Sequence, residues 1–170
     1  MGLHHVQVSM PPGAEEEARA FHAGALGLKE VNKPPSLADR GGCWFRAFDG
    51  EVVVAEIHVG VEPGFAPGKK SHPAFVVESV ACLEELAAGI QAAGFDFSWE
   101  ERYTFECCER FHCRDPFGNR VEALTPRSGA SRSDTATQAW GCLLREGFGV
   151  QEVPIGPPAQ PQCLNCTGVA

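Results

Sequence analysis

No stretch of this sequence approaches the ~20 consecutive apolar residues that a membrane-crossing helix needs. Its N-terminus, Met-Gly-Leu-His-His, lacks a basic segment followed by a long apolar run. A membrane partner and a secretory leader are therefore not expected, and the reading is a cytoplasmic protein. Basic residues are also scarce: 14 Lys and Arg stand against 22 Asp and Glu, for a net charge of −8. They are scattered, so the basic stripe that a phosphate backbone demands is missing and nucleic acid is not an expected partner. Cysteine is not scarce, with 8 in the chain, but without a leader these are read as reduced thiols, most of them small buried hydrophobes. Cys163 and Cys166 form a lone CxxC with no second CxxC or His pair to complete a zinc site, so no function is attached to it. What remains is a chain of 170 residues, 44% hydrophobic, long enough for one domain with a proper core and a tail.

The clearest positive feature is an internal repeat. Leu3 to Met10 alternates apolar and polar residues as a half-buried strand does, and Pro11-Pro12-Gly13 stops it. A helix follows, with Glu15, Glu16 and Glu17 complementing its dipole and Ala18, Phe21 and Ala25 along one face; Gly27 supplies its left-handed cap. In the second half His72 to Val77 reads as a strand, Ser79 as an N-cap, and Val80, Leu83, Ala87 and Ile90 as the apolar stripe of a helix ended by Gly94. His5 to Gly27 and His72 to Gly94 both span 22 residues. Strands follow each helix: Cys43 to Phe48 and Glu51 to Val61, then Phe95 to Trp99, Arg110 to Arg114 and Arg120 to Thr125. Asp49-Gly50 and Asp115-Pro116-Phe117-Gly118-Asn119 are the turns between neighbours.

The spacing predicts an α+β domain over residues 1–126, built from two βαβββ modules in tandem at about 3–62 and 71–126. Residues 127–170 break the pattern. Arg127 to Gln138 and Pro154 to Gln162 have the composition of poorly ordered connections, and Trp140 to Phe148 reads as a short helix that docks on the body.

Strand parity places His5, Gln7 and Ser9 on one face and Val6 and Val8 on the other. The last strand of each half carries a glutamate, Glu56 and Glu122, lying 51 and 50 residues after His5 and His72. If each module curls its sheet and the two cups meet, two imidazoles and two carboxylates converge, a suitable set for one divalent ion such as Zn, Ni, Fe, Mn or Co. His58 shares a face with Glu56 and competes for the first-module position; Glu56 is preferred because it matches Glu122 in the repeat. His4 has the wrong parity for a ligand, and His22 is expected on the surface. Trp44, Phe45 and Trp99 are read as core or cleft wall, and nothing near Cys107-Cys108 marks a nucleophile.

His5-Val6-Gln7-Val8, Phe21-His22 leading to Leu26-Gly27-Leu28, His72-Pro73-Ala74-Phe75-Val76-Val77 and above all Asp115-Pro116-Phe117-Gly118-Asn119-Arg120-Val121-Glu122 resemble the glyoxalase/bleomycin-resistance/dioxygenase (vicinal oxygen chelate) superfamily. The resemblance covers about residues 3–126. It implies the curled mixed-sheet cup of the glyoxalase/bleomycin-resistance/dihydroxybiphenyl-dioxygenase fold. It also implies one divalent metal held by His5, Glu56, His72 and Glu122, which binds two neighbouring oxygens of a small-molecule substrate.

Several chemistries share such a scaffold. A glyoxalase-type isomerase would use Glu122 as its base; an extradiol dioxygenase would hold iron with His5, His72 and Glu122; a thiol transferase acting on an epoxide antibiotic uses the same three positions. A bleomycin-binding branch sequesters its ligand without a working metal centre. His112 is read as a nearby acid or substrate contact, and Arg110 and Arg120 as contacts for an anionic substrate group. No glutathione or fosfomycin signature stands in Asn32 to Gly42 or Val61 to Lys70. A homodimer is expected, since modules of this kind can be shared between chains.

Overall fold

The computed structural model describes residues 3–127; the tail expectations for 128–170 lie outside them. The first module runs β1 (Val6–Met10), helix α1 (Glu15–Arg19) widening into a π-helical turn (Ala20–Ala25), β2 (Lys29–Val31), a short 3-10 helix (Pro35–Arg40), β3 (Cys43–Asp49) and β4 (Val52–Val61). The second runs β5 (Ala74–Val76), α2 (Val80–Ala92), β6 (Phe97–Ser98), β7 (Cys108–Arg114) and β8 (Arg120–Pro126). Each forms a four-stranded mixed sheet, ordered β1-β4-β3-β2 and β5-β8-β7-β6. The first strand of each module pairs parallel with its last, and the remaining pairs are antiparallel. The expected βαβββ plan is present twice. Strand β2 is an addition: at three residues it is too short to show the alternation by which strands are recognised.

The helices form for the reasons that their sequences suggest. Ser79 Oγ accepts from the Cys82 amide at 3.2 Å, capping α2, and Leu83, Ala87 and Ile90 bury one stripe against the second sheet. Both helices end before a glycine with positive φ, Gly27 at 70° and Gly94 at 83°. Helix α1 has no side-chain cap, and its acidic first turn stands in for one.

Two cores result. Met10, Ala18, Phe45, Ile57 and Val59 fill the first, beneath α1; Leu83, Ala87, Ile90, Phe111 and Val121 fill the second, beneath α2. The π turn joins them, because Phe21 packs into the second core while its neighbour His22 stacks on Phe45 of the first, ring centroids 5.1 Å apart. His22 is therefore not a surface residue: it is 1% exposed, because at four residues from the buried Ala18 it shares the apolar stripe of the helix and Phe45 of the first core packs against it. A second join is made by Asn119, whose Nδ2 donates to the Ser9 carbonyl at 2.8 Å. With the core faces turned to the helices, alternation leaves His5, Trp44, Arg46, Glu56 and His58 on the open face of sheet one, and Arg110, His112 and Glu122 on that of sheet two. No helix of the described residues is long and apolar enough to cross a membrane.

Candidate metal centre

The open face of the second sheet gathers His72, His112 and Glu122, whose donor atoms all lie within 4.8 Å of one another. His72 stands just before β5, followed by Pro73, whose carbonyl accepts from the Glu122 amide at 3.0 Å and so sets the two residues side by side. The His72 ring is oriented from both sides. Nδ1 donates to the Lys70 carbonyl at 2.6 Å, and Nε2 faces Glu122 Oε2 at 2.9 Å. A carbonyl only accepts, so the Nδ1 proton is assigned; Nε2 then carries either a second proton, making the ring a cation, or a lone pair that needs a cation beside it.

Two donors on one divalent ion at bonds of about 2.0–2.2 Å and angles of about 90–110° stand about 2.8–3.6 Å apart. The observed separation falls in that range, so His72 and Glu122 fit a metal without rearrangement. Burial by itself would raise the Glu122 carboxyl, but hydrogen bonding by His72 and Arg110, and the Arg110 charge, together hold it below the usual carboxylate value. Its other oxygen, Oε1, accepts from Arg110 Nη1 at 3.0 Å.

His112 is differently committed. Its Nε2 lies 2.6 Å from Arg120 Nη2, and an arginine can only donate, so Nε2 is an acceptor and the proton sits on Nδ1. Burial, and then the Arg120 charge, lower its pKa and keep the ring neutral. For His112 to bind an ion through Nε2, Arg120 would have to withdraw.

The first sheet carries its own cluster. His58 is sandwiched between Trp44, stacked at 3.8 Å, and His5, stacked at 4.0 Å. Its Nε2 meets Glu56 Oε1 at 2.6 Å, while Arg46 Nε donates to Glu56 Oε2 at 2.7 Å. Burial would raise the Glu56 carboxyl, but His58 and Arg46 hold it below its ordinary value; burial lowers His58. Beside this cluster opens a cleft of about 530 Å³, lined by His4, His5, Gln7, Trp44 and His58 on the sheet and by Lys33 and Arg40 above it. Trp44 is cleft wall, and Phe45 is core.

The four expected ligands thus fall into two pairs, His5 and Glu56 on sheet one, His72 and Glu122 on sheet two. Among the described residues no first-module donor belongs to the second-module group. The ladders also refine the equivalence. Gln7 pairs with His58, which pairs with Trp44; Ala74 pairs with Glu122, which pairs with His112. Gln7 and Ala74 each follow their histidine by two residues, so His58 is the counterpart of Glu122, Trp44 of His112 and Arg46 of Arg114. Residue counting favoured Glu56 because the path from His5 to His58 is three residues longer than that from His72 to Glu122.

Two functional candidates had not been singled out in the sequence. Arg46 shares strand parity with Trp44, which is a usable signal. Glu101 lies in the loop before β7, where no periodicity applies; its Oε2 accepts from Arg110 Nη2 at 3.0 Å and from Arg120 Nη2 at 3.3 Å.

Residues 2–123 match the family described as the Glyoxalase/Bleomycin resistance protein/Dioxygenase superfamily. Among solved structures, a glyoxalase family protein from Bacillus anthracis is 40% identical; the match covers 75% of this chain and 96% of that one, with a TM-score of 0.65. A mutant of the fosfomycin resistance protein FosX from Listeria monocytogenes, complexed with Mn(II) and 1S,2S-dihydroxypropylphosphonic acid, is 17% identical, covering 75% and 93% with a TM-score of 0.57. A glyoxalase/dioxygenase from Nostoc punctiforme is also 17% identical, covering 75% and 92% with a TM-score of 0.59. At those identities the last two show the fold alone. No curated protein matches the chain. With the duplicated βαβββ fold and the sequence match in agreement, the chain belongs to the glyoxalase/bleomycin resistance protein/dioxygenase superfamily.

Proposed function

We propose that the protein is a divalent-metal enzyme acting on a small oxygen-bearing substrate, as a glyoxalase-type lyase or isomerase or as an extradiol-type dioxygenase. The observation that carries this reading is the His72–Glu122 pair, with one imidazole nitrogen tied to the Lys70 carbonyl and the other turned on a carboxylate oxygen at 2.9 Å. A ring tied in this way is oriented for a metal, with its tautomer set by the partner behind it.

His72 and Glu122 would hold the ion, His5 and the Glu56–His58 pair would complete its shell, and Zn, Ni, Fe, Mn or Co suits such donors. The FosX relative, complexed with Mn(II), supports a metal in this fold. A bound divalent ion supplies Lewis acidity to neighbouring oxygens of the substrate. The chain's own groups do the rest. Arg110 keeps Glu122 ionised and aligned, so that this carboxylate serves as a base, and the neutral His112 offers its Nδ1–H as a hydrogen-bond donor to the substrate. Arg110 and Arg120 attract an anionic group of the substrate.

We further propose that the site is completed in a homodimer, the first module of one copy facing the second module of its partner. The division of the donors between two sheets supports this, because each sheet alone offers half a shell. Elemental analysis of untagged protein tests the metal: about one transition-metal ion per site in the wild type and its loss in His72→Ala is the expected result. A panel of 2-oxoaldehyde, catechol and epoxide substrates then assigns the chemistry. The alternative is a metal-free small-molecule binder of the bleomycin-resistance type, which the Arg110–Glu122 and Arg120–His112 contacts favour, since they satisfy the polar face without an ion. Tight, specific binding of a small molecule by metal-free protein, with no turnover, would establish that alternative.

A further inference from the structure

Glu101 occupies an unusual place. Its side chain is 45% exposed on the loop between β6 and β7, yet its Oε2 is shared by two guanidinium groups and lies 3.8 Å from His112 Nδ1. Those guanidinium groups are not equally satisfied. Arg110 donates Nε to the Glu101 carbonyl at 3.2 Å, Nη2 to Thr104 Oγ1 at 2.8 Å and Nη1 to Glu122 at 3.0 Å. Arg120 is 15% exposed, reaches Glu101 and His112 through Nη2 only, and leaves its Nε buried without a partner. A buried N–H of a charged group is a demand for an acceptor, which the described residues do not meet. A cleft of about 240 Å³, enough for a small oxyanion, has Arg120 in its wall together with Ser98, Glu101, His112 and Arg114.

We propose that Arg110 and Arg120 form a subsite for a tetrahedral oxyanion group, phosphate- or phosphonate-like, and that Glu101 is its resident counter-ion, displaced when such a ligand enters. The inference deepens the reading of these arginines as anion contacts and rests on it. The chemistry favours a tetrahedral dianion over the resident carboxylate for two reasons. A dianion interacts more strongly with paired guanidinium groups than a monoanion does. A group with three or more oxygens can also take a side-on pair of bonds from Arg120, Nε and Nη2 together, where Glu101 offers one oxygen to Nη2 alone. The half-exposed loop position means that the Glu101 side chain can turn into water, where its charge is solvated, and Thr104 continues to hold Arg110 Nη2.

Inorganic phosphate titrated calorimetrically into the metal-free, full-length protein tests the proposal, so the result does not depend on whether the metal reading holds. Glu101→Gln is expected to bind phosphate about tenfold more tightly than the wild type, as it should if Glu101 fills the subsite about 90% of the time. Glu100→Gln removes the same charge from the same cleft wall without touching either arginine, and is expected to change affinity less than twofold. Adding Arg120→Gln to Glu101→Gln should abolish binding. Equal gains in the Glu100 and Glu101 variants would reduce the effect to general charge and overturn the proposal. Undetectable phosphate binding in both the wild type and Glu101→Gln would also overturn it. Thermal melts establish that the variants are folded, and Glu101→Ala replaces the glutamine variant if that one is not.

Discussion

His22 stacks on Phe45 inside the protein with neither ring nitrogen hydrogen-bonded, an arrangement that only the neutral imidazole tolerates. Burial lowers its pKa from 6.5 to about 4. The unfolded chain therefore takes up a proton near pH 6.5 that the folded chain refuses until about pH 4. The stability from keeping this ring neutral is complete above the higher value and is lost as pH falls through the window, at about 1.4 kcal/mol per unit and roughly 3 kcal/mol in all. Urea denaturation of His22→Leu should show equal or greater stability at neutral pH and a clearly shallower decline toward pH 4; a parallel decline would mean that other groups carry the acid sensitivity. At the same scale, Glu122→Gln preserves shape but removes the charge opposite His72. Its affinity for a divalent ion should fall by roughly 100-fold or more in a metal titration, while Arg110 keeps an acceptor in the remaining amide oxygen.

The elements that present these residues depend on a few backbone devices. In the β7–β8 turn, Asp115 Oδ1 accepts from the amides of Phe117 at 2.9 Å and Asn119 at 2.8 Å, and Asn119 Nδ2 donates to Asp115 and on to Ser9 in β1. Asn119→Ala should cost about 1–3 kcal/mol in denaturant unfolding, because it strands buried acceptors, with the His72–Glu122 pair left in place and metal content unchanged. The turn itself was readable from Asp115-Pro116-Phe117-Gly118-Asn119, since each residue states a local preference. The bond to Ser9 was not, because its partner lies 110 residues away and no local rule reaches so far. Gly42 is a second device: at φ 81° with Val59 O only 2.3 Å from where a Cβ would stand, it lets the chain enter β3 against β4. Gly42→Ala should destabilise by at least about 2 kcal/mol, read as a lowered urea midpoint.

For the whole molecule, the central fact is that one sheet holds His5 and Glu56 and the other His72 and Glu122. If two copies complete each other's sites, His5→Ala and His72→Ala proteins should each lose most metal alone. When they are mixed and allowed to exchange subunits, each mixed dimer should regain one intact site, a recovery of about a quarter of wild-type metal content in a statistical mixture. No recovery on proven exchange, alongside full metal in an enforced monomer, would place the site within a single chain.

The duplicated plan, the two main helices, every strand but the short β2, and the alternation of the residues facing away from the two cores followed from the sequence, because a period of two and a period near 3.6 are local properties that each segment displays by itself. Which of those outward residues meet was decided only in three dimensions. Cross-strand register made His58 rather than Glu56 the counterpart of Glu122, Phe45 of the first sheet closed over His22, and a loop without periodicity laid Glu101 across Arg110 and Arg120. Each of these depends on where a distant segment comes to rest, and chain-wise spacing does not encode distance across a ladder or between sheets.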